Sequence, residues 1–260
     1  RSRFKPYILS VWGSDIYYFP NKNLINKLLI KLIINNSDKV CSTSYAMREI
    51  IEKEYNRFDI KVVPFGVDID LFKPSKNHNK NFTVGTIKSI DNHNGIDCLL
   101  EAAELVIHKH NKNINFLIVG EGSLKKEMQQ KTIDLQLEDK VQFTGFVQHE
   151  KVIKHYNQLS LFVAVSTRES FGDSILEAAA CGIPSITSNI GGLKEVNLNN
   201  ETGILIDPDN PEKLAESIIN LFENENLRSK FGINARKRVV KKFNWKDNVN
   251  KMIDIYNNYS

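Results

Sequence analysis

The most informative stretch of this chain is Arg168-Glu169-Ser170-Phe171-Gly172-Asp173-Ser174-Ile175-Leu176-Glu177. The apolar run just before it, residues 160–165, predicts a short buried strand, and residues 174–181, rich in Ala and Leu, predict a helix. Gly182 and Pro184 are typical of a helix end. The stretch therefore predicts a strand, a tight turn and a helix N-terminus, where backbone N–H groups suit an anion such as a diphosphate.

Short apolar strands alternate with helical patterns on both sides of this stretch, which is typical of parallel α/β architecture. Strands are predicted at residues 82–87, 115–119, 141–144, 161–165, 185–187 and 203–206. Helices are predicted at residues 96–108, 124–135, 151–156, 174–181 and 211–222. Together these elements make one complete doubly wound domain with a Rossmann-like parallel sheet.

The first seventy residues predict a smaller set of elements. The strands are expected at residues 7–11, 39–42 and 61–63, and the helices at residues 24–34 and 45–54. These elements are too few for an independent core, and the chain opens on strand-like sequence, so we expect an upstream half-domain to be missing. Two more helices are predicted near the end, at residues 227–242 and 246–259.

Composition narrows the class of protein. The chain has 260 residues, 41% of them hydrophobic and 25% charged, which is enough to build a sizeable core. Its net charge of +4 fits an anionic small ligand or an acidic membrane surface and is too small to indicate nucleic acid. Three isolated cysteines, no leader in residues 1–3 and no membrane-spanning apolar run predict a cytoplasmic protein without disulfides.

Several further motifs follow one another along the chain. They are Val62-Val63-Pro64-Phe65-Gly66-Val67-Asp68 with Leu71-Phe72-Lys73-Pro74, Val84-Gly85-Thr86-Ile87-Lys88 through Gly95-Ile96-Asp97, Ile118-Val119-Gly120-Glu121-Gly122, Phe143-Thr144-Gly145-Phe146, and Gly191-Gly192 with Glu195. In this order, and with the paired-Glu stretch, they resemble the retaining family 4 glycosyltransferases of GT-B fold over nearly the whole chain.

The resemblance implies an organisation into three parts. Residues 1–71 would be the back half of an acceptor-side domain, and residues 72–242 a donor-nucleotide domain. Residues 243–260 would form a C-terminal helix that crosses back to the first part. The fold class expected is thus α/β of GT-B type, with one complete doubly wound domain and half of a second.

The resemblance also implies roles for individual residues. Glu169 would contact hydroxyls of the transferred sugar, and Glu177 would accept hydrogen bonds from the ribose. Phe171 and Gly172 would offer backbone N–H groups to the diphosphate. Lys88, after the first strand of the donor domain, is the candidate cation, and we take it with Glu169 as the catalytic pair. A carboxylate, a cation and a helix N-terminus can do this work without a metal.

Other residues are expected to neighbour the donor, and these are Gly85, Glu121, Phe146, Ser170 and Leu176. A dinucleotide fingerprint is excluded at Gly120-Glu121-Gly122, because Lys125 stands where the third glycine belongs. A tight turn that needs small residues remains an equal alternative there.

Two departures from the family pattern stand out. Thr86 and Asn94 occupy positions where the family commonly has Arg and Lys, and Lys88 is expected to compensate. Trp12, in Val11-Trp12-Gly13-Ser14-Asp15, stands where the family often has His. The source of a catalytic histidine therefore stays open, and the missing upstream half is one place for it.

Metal sites are not expected. Residues 68–70 and 207–209 both match Asp-x-Asp, but one lies in a linker and the other in a turn with Pro, where a capping role is commoner. His149 and His155 fail as a zinc helix because Ile153 stands at the position of the second ligand.

The helix at residues 24–34 carries Lys27 and Lys31 among many apolar residues. Packing against its sheet is the commoner explanation for such a helix. Contact with an anionic membrane is the alternative, since basic apolar helices can lie on such surfaces.

The resemblance implies transfer of a hexose-type unit from a nucleotide sugar to a hydroxyl acceptor, with retention of anomeric configuration, in cell-surface polysaccharide or glycolipid synthesis. A UDP-sugar is expected ahead of a GDP-sugar, the acceptor is a candidate for lipid linkage, and no other cofactor is implied. Spacing alone would leave the paired carboxylates as solvated surface groups. A two-carboxylate glycosidase would not need glycine-rich helix ends. The other alternative is a nucleotide- or sugar-binding module without turnover.

Overall fold

A computed structural model describes residues 5–75 and 81–259 of the chain, which form two parallel sheets with helices around them. Residues 1–3, expected from the sequence to lack a leader, lie outside the described residues.

The first sheet has three parallel strands in the order β1-β2-β3. The strands are β1 (Ile8–Val11), β2 (Lys39–Ser42) and β3 (Ile60–Val62). The helices are α1 (Ser14–Tyr17), α2 (Leu24–Asn36) and α3 (Tyr45–Tyr55), with a 3-10 helix at Phe19–Lys22. The strand predicted at residues 61–63 starts one residue earlier, because Ile60 is buried in the core and pairs with Val40.

The second sheet has six parallel strands in the order β6-β5-β4-β7-β8-β9. The strands are β4 (Thr83–Ile87), β5 (Asn115–Val119), β6 (Val141–Gly145), β7 (Leu161–Ala164), β8 (Ser185–Ser188) and β9 (Gly203–Ile206). The predicted strands are confirmed here, with ends that differ by one residue at most. Strands covered on both faces form continuous apolar runs, which is why the sequence shows them clearly.

The strand order of the second sheet reverses direction between β4 and β7. The chain runs outward from β4 through β5 to β6, and then returns to the other side of β4 with β7. Loops after β4 and β7 therefore leave in opposite directions. Doubly wound sheets bind ligands in the crevice outside the carboxyl ends of such a strand pair.

Helices cover both faces of this sheet. They are α4 (Ile96–Glu104), α5 (Lys125–Asp134), α6 (His149–Tyr156), α7 (Asp173–Ala180), α8 (Leu193–Val196) and α9 (Pro211–Glu223). The helix predicted at residues 96–108 changes into a π-helix at Leu105–Lys109. α8 was not predicted, because four residues are too few to show a helical period.

The C-terminal part of the chain returns to the segment that joins the sheets. It consists of α10 (Glu225–Lys242) and α11 (Trp245–Asn257). The Val67 N–H donates to the Phe243 carbonyl at 2.9 Å, and the Trp245 N–H donates to the Val67 carbonyl at 3.1 Å. A Cβ on Gly66 would lie 2.6 Å from the Trp245 Cα, so only glycine fits this contact. α11 then lines a cavity of about 190 Å³ together with residues from the ends of β1 and β2.

α2 is apolar on two opposite sides. Ile30 and Ile34 are buried in the core of the first sheet, so the predicted packing of this helix is confirmed. Six large apolar residues remain exposed on its other side, namely Leu24, Ile25, Leu28, Leu29, Leu32 and Ile33. Across residues 5–75 and 81–259, no helix combines the length and the hydropathy needed to cross a bilayer.

Candidate active site

The carboxyl ends of β4 and β7 bring two distant parts of the chain together. Lys88 directly follows β4, and Ser166 and Glu169 lie in the loop after β7. Neighbouring parallel strands end at the same edge of a sheet, so these loops face one crevice. The crevice is the expected ligand position for this strand order.

Lys88 joins the two loops. Its Nζ donates to Glu169 Oε2 at 2.5 Å and to Ser166 Oγ at 2.7 Å. The Lys88 and Glu169 side chains are only 12% and 21% exposed. The structure thus brings the two predicted catalytic residues into contact. Ser166 is fully buried and was not predicted, and its only sequence signal is a hydroxyl directly after a buried strand.

The turn into α7 offers free backbone donors. Gly172 precedes the helix with a φ of 105°, in the left-handed region that favours glycine. Among the residues that the structure describes, no acceptor is hydrogen-bonded to the N–H groups of Phe171 and Gly172. Free N–H groups and the helix dipole make such a terminus suitable for an anion.

The Phe171 side chain has a different role from its backbone. It is 1% exposed and makes edge-to-face contacts with Phe65 and Phe243, each with 5.9 Å between ring centroids. These rings belong to the segment between the sheets and to the end of α10. The ring therefore anchors the turn, and only the Phe171 backbone is available to a ligand.

Glu177 belongs to a buried polar group on α6 and α7. Its Oε2 accepts a hydrogen bond of 2.7 Å from the Tyr156 hydroxyl, and its Oε1 lies 3.8 Å from His149 Nδ1. Burial raises the pKa of the Glu177 carboxyl, while the Tyr156 hydrogen bond and His149 act in the opposite direction. Glu177 lines a cavity of about 450 Å³ whose other side is formed by the segment between the sheets.

Asp173 is a site residue that the sequence reasoning missed. Desolvation by the surrounding protein, followed by repulsion from Glu169 and Glu177, raises the pKa of Asp173 to about 6. The Asp173 side chain is nevertheless exposed, and solvent screening weakens the effect of these causes on stability. Asp173 stands four residues after Glu169 and four before Glu177, and this spacing is the signal that could have revealed it.

A second cavity lies on the Glu169 side of the turn, between the two sheets, and has a volume of about 570 Å³. The first unit, which is the three-stranded sheet with its helices, contributes Tyr17, Tyr18, Asn21 and Lys22. The second unit, which is the six-stranded sheet with its helices, contributes Thr167, Arg168, Glu169, Ile190 and Gly191. Ser170 lies at the contact of the units, because a Cβ on Gly13 would come within 2.7 Å of its Oγ. Glu169 and Glu177 therefore open to different cavities on either side of the turn.

Glu195 holds the two units together nearby. Its carboxylate accepts hydrogen bonds from the backbone N–H groups of Tyr45 at 3.0 Å and of Ala46 at 2.7 Å. Both groups belong to the first turn of α3, so a residue of the second unit caps a helix of the first. Such a carboxylate also complements the helix dipole.

Two predicted donor neighbours lie away from the crevice. Gly85 is inside β4 and not in the turn after it, and a Cβ there would come within 2.4 Å of Leu159 Cδ2. Leu176 is 1% exposed in the core beneath α7. Both residues thus have packing roles in the structure, and their expected donor contacts stay predictions.

Glu121 and Phe146 lie at the ends of β5 and β6, further along the same edge of the sheet. Glu121 Oε1 accepts a hydrogen bond of 2.5 Å from Lys125 Nζ. The hydrogen bond from Lys125 and that ion pair lower the pKa of the exposed Glu121 carboxyl. The Phe146 ring is 76% exposed, so it offers an apolar face to solvent at this edge.

Trp12 stands at the end of β1 and faces the segment between the sheets. Its ring meets Phe65 edge-to-face with 5.6 Å between centroids, and its side chain is 63% exposed. The indole N–H can donate a hydrogen bond but cannot take up a proton. Trp12 therefore cannot supply the proton transfer that a histidine at this position would allow.

The Asp-x-Asp segment at residues 68–70 forms a turn. Asp68 Oδ1 accepts hydrogen bonds from the N–H groups of Asp70 at 2.9 Å and of Leu71 at 3.0 Å. These bonds lower the pKa of the Asp68 carboxyl. The predicted turn role of Asp68 is confirmed.

The chain is similar to known proteins in sequence and in fold. The family model described as "Glycosyl transferases group 1" matches residues 67–238, which is more than half of the chain, and one described as "Glycosyl transferase 4-like" matches residues 1–44. An uncharacterized glycosyltransferase of Methanocaldococcus jannaschii is 28% identical over 98% of this chain and 69% of its own length. The capsular polysaccharide biosynthesis glycosyltransferase CapM of Staphylococcus aureus is 30% identical over 70% of this chain and 47% of its own length.

A solved structure shows the same architecture. HepE of Anabaena, in complex with UDP and glucose, superposes with a TM-score of 0.85 at 23% identity, over 97% of this chain and 71% of HepE. The α/β fold of GT-B type is confirmed. Because the family model covers both loops of the crevice and the turn into α7, the chain belongs to the family of glycosyl transferases group 1.

Proposed function

We propose that this chain transfers a hexose-type sugar from a UDP-sugar to a hydroxyl acceptor, with retention of anomeric configuration. The observation that carries the proposal is the contact of Lys88 with Glu169 beside the free N–H groups of Phe171 and Gly172. One crevice thus offers a cation, a carboxylate and an anion-binding helix terminus. A nucleotide sugar needs these groups for its diphosphate and its sugar hydroxyls.

The diphosphate would lie against the N-terminus of α7. The N–H groups of Phe171 and Gly172 would donate hydrogen bonds to the diphosphate oxygens. The Lys88 ammonium, which pairs with Glu169, would also interact with the diphosphate. As the bond between the sugar carbon and the diphosphate oxygen breaks, negative charge grows on the diphosphate. Donors already held in place stabilise that charge without reorganisation. These residues can supply the stabilisation themselves, and the proposal therefore assigns no metal.

The two glutamates would hold the two ends of the donor. Glu169 would accept hydrogen bonds from sugar hydroxyls, and Glu177 from the ribose. The exposed Phe146 ring and Glu121 lie at the same sheet edge, where they would neighbour the base. Retention follows from the resemblance to family 4 enzymes alone, and the preference for uridine is supported by the UDP bound in HepE.

The acceptor hydroxyl would enter from the first unit, through the cavity beside Glu169. There the acceptor oxygen would replace the diphosphate on the sugar carbon, and the proton of the hydroxyl would pass to the departing diphosphate. Contact between the units around Ser170 would keep water from taking the acceptor's place. CapM is named for capsular polysaccharide synthesis, and we propose a role in cell-surface polysaccharide or glycolipid synthesis for this chain.

We propose that this reaction takes place at the cytoplasmic face of a membrane, where a lipid-linked acceptor is one candidate. The exposed apolar side of α2 supports this placement, because large apolar patches on a protein surface mark contacts with partners or membranes. Lys31 on the same helix would favour anionic lipids.

The experiment follows thermal stability with UDP, GDP and ADP, each added separately. Specific binding must raise the melting temperature, and UDP is expected to raise it most. Turnover is then measured as acceptor-dependent release of UDP from UDP-glucose and related UDP-sugars, with the anomer of the product read by NMR. Loss of turnover in Glu169→Ala, with Glu150→Ala on the exposed side of α6 as control, supports the site. No shift with any nucleotide would refute the proposal.

A further inference from the structure

The cavity of about 570 Å³ beside Glu169, here named the acceptor cavity, has an unbalanced charge. Lys22 and Arg168 line it from opposite units. Within the part of the chain that the structure describes, neither side chain has a carboxylate within ion-pair distance. Glu169 is the acidic side chain among the lining residues, and Lys88 already pairs with it. The cavity therefore presents two uncompensated cations.

Arg168 is held against an aromatic ring, whereas Lys22 is an exposed side chain on the opposite wall of the cavity. Arg168 lies over the Tyr18 ring, with 5.5 Å from Cζ to the ring centroid. Lys22 ends the 3-10 helix just before α2, where Asn26 Nδ2 donates to the Phe19 carbonyl at 3.1 Å. An Arg stacked on an aromatic ring keeps its donors in one plane, which suits the oxygens of a phosphate.

The walls fit an organic anion rather than a simple ion. Tyr17 and Tyr18 supply aromatic surface beside the two cations. Burial raises the pKa of the Tyr17 hydroxyl to about 12, and Glu195 and Glu169 add to the shift, so this hydroxyl stays a hydrogen-bond donor. The volume lies within the roughly 300–1,000 Å³ typical of small-molecule sites.

We propose that the acceptor cavity binds an acceptor that carries a phosphate group close to its reactive hydroxyl. Lys22 and Arg168 bind the phosphate from the two units, and Glu169 marks the side on which the sugar is transferred. This inference rests on the proposed function and deepens it, because it assigns the chemical class of the acceptor. The phosphate can belong to a soluble sugar phosphate or to a lipid headgroup.

The test first blocks the donor's own phosphate site. Protein saturated with UDP is titrated by calorimetry with glucose 1-phosphate, with methyl glucoside as the neutral counterpart and with dihexanoyl phosphatidic acid below its micelle concentration. We expect both phosphates to bind and methyl glucoside not to bind. Tighter binding of phosphatidic acid assigns a lipid acceptor, and tighter binding of glucose 1-phosphate assigns a soluble one.

Variants connect the binding to the cavity. The double variant Lys22→Gln/Arg168→Gln is expected to weaken the binding of both phosphate compounds at least tenfold. Its affinity for UDP should stay within twofold of the wild-type value. Lys53→Gln/Lys126→Gln, which removes the same charge from exposed positions on α3 and α5, should change neither affinity. Phosphate binding that survives Lys22→Gln/Arg168→Gln, or no phosphate binding while UDP binds, overturns the inference alone. Absence of UDP binding overturns the proposed function and the inference with it.

Discussion

Lys88 Nζ lies 2.5 Å from Glu169 Oε2, although the two residues are 81 positions apart in the chain. The pair joins the loop after β4 to the loop after β7. In the proposed complex a donor would share both groups, because its diphosphate would compete for the ammonium and its sugar hydroxyls would compete for the carboxylate. Affinity for the nucleotide and catalysis of transfer should therefore respond differently to the two residues.

Substitutions of Lys88 and of Glu169 should have opposite effects on the affinity for UDP. Lys88→Gln removes a charged donor, and we expect UDP affinity to fall roughly 10-fold or more, from the ~1.5–3 kcal/mol of a charged hydrogen bond. Glu169→Gln releases the lysine, so UDP affinity should hold or rise while turnover falls at least 100-fold. Calorimetry and initial rates measure both effects. Equal loss of UDP affinity in the two variants would contradict the division of roles.

Glu177 should recognise the ribose. The wild-type protein is expected to bind UDP at least tenfold more tightly than its 2′,3′-dideoxy analogue, because a buried carboxylate accepts the ribose hydroxyls. Glu177→Gln should remove most of that difference in affinity. The contribution of the contact between Glu177 and the ribose is obtained by measuring both proteins with both nucleotides in a double-mutant cycle.

Tyr156→Phe provides the control for this prediction. It removes the hydroxyl that bonds Glu177 and leaves the carboxylate in place. Its discrimination between the two nucleotides should therefore persist. If Glu177→Gln discriminates as well as the wild type, Glu177 does not contact the ribose.

Asp173 should make stability depend on pH. Its pKa is raised from 3.8 to about 6 in the folded chain, so between these values the folded state holds a proton that the unfolded state has lost. This contribution to stability is complete below about pH 4 and is lost as the pH rises through about 6. We expect Asp173→Asn to melt about 2 °C above the wild type at pH 7.5 and to match it at pH 4. If the melting temperatures of Asp173→Asn and the wild type differ equally at both pH values, the effect does not come from the ionisation of Asp173.

The sequence shows the strands better than the site. Continuous apolar runs mark the six buried strands, and Gly182 with Pro184 marks the end of α7 to within two residues. A glycine in a strand and a glycine in a turn look alike in a sequence, which is why Gly85 was assigned to the crevice. What separates the two cases is the Leu159 side chain against Gly85, a contact between residues far apart in the chain.

The polar groups of the site show the same limit, because contacts between residues far apart in the chain cannot be seen in the sequence. The Ser-Phe-Gly turn and Glu177 could be predicted because they lie in one local segment. The partners that set their chemistry come from elsewhere: Lys88 from the loop after β4, and Tyr156 from α6. Only the folded chain brings such partners within hydrogen-bond distance, so neither pairing could be predicted from spacing.

Glu195 should couple the two units. Its two hydrogen bonds to the first turn of α3 resemble an N-cap, which is typically worth about 1 kcal/mol. We expect Glu195→Gln to lower the melting temperature by about 3 °C and to speed hydrogen exchange at the amides of Tyr45 and Ala46. Ser44→Ala, which removes the helix's own cap, serves as the comparison. Unchanged exchange at both amides in Glu195→Gln would show that the contact adds no stability.

The exposed side of α2 should bind anionic bilayers. Leu28 and Leu32 are 60% and 59% exposed one turn apart, and each would gain roughly 1.5–3 kcal/mol if it were fully buried among lipid chains. The double variant Leu28→Glu/Leu32→Glu should reduce cosedimentation with vesicles of phosphatidylglycerol at least tenfold. Ile133→Glu changes a residue of similar exposure, 51%, on α5 and should leave it unchanged. Weak binding to neutral phosphatidylcholine vesicles is expected throughout, because Lys31 adds attraction only to an anionic surface. Equal cosedimentation of the wild type and Leu28→Glu/Leu32→Glu would contradict a role for α2 at the membrane.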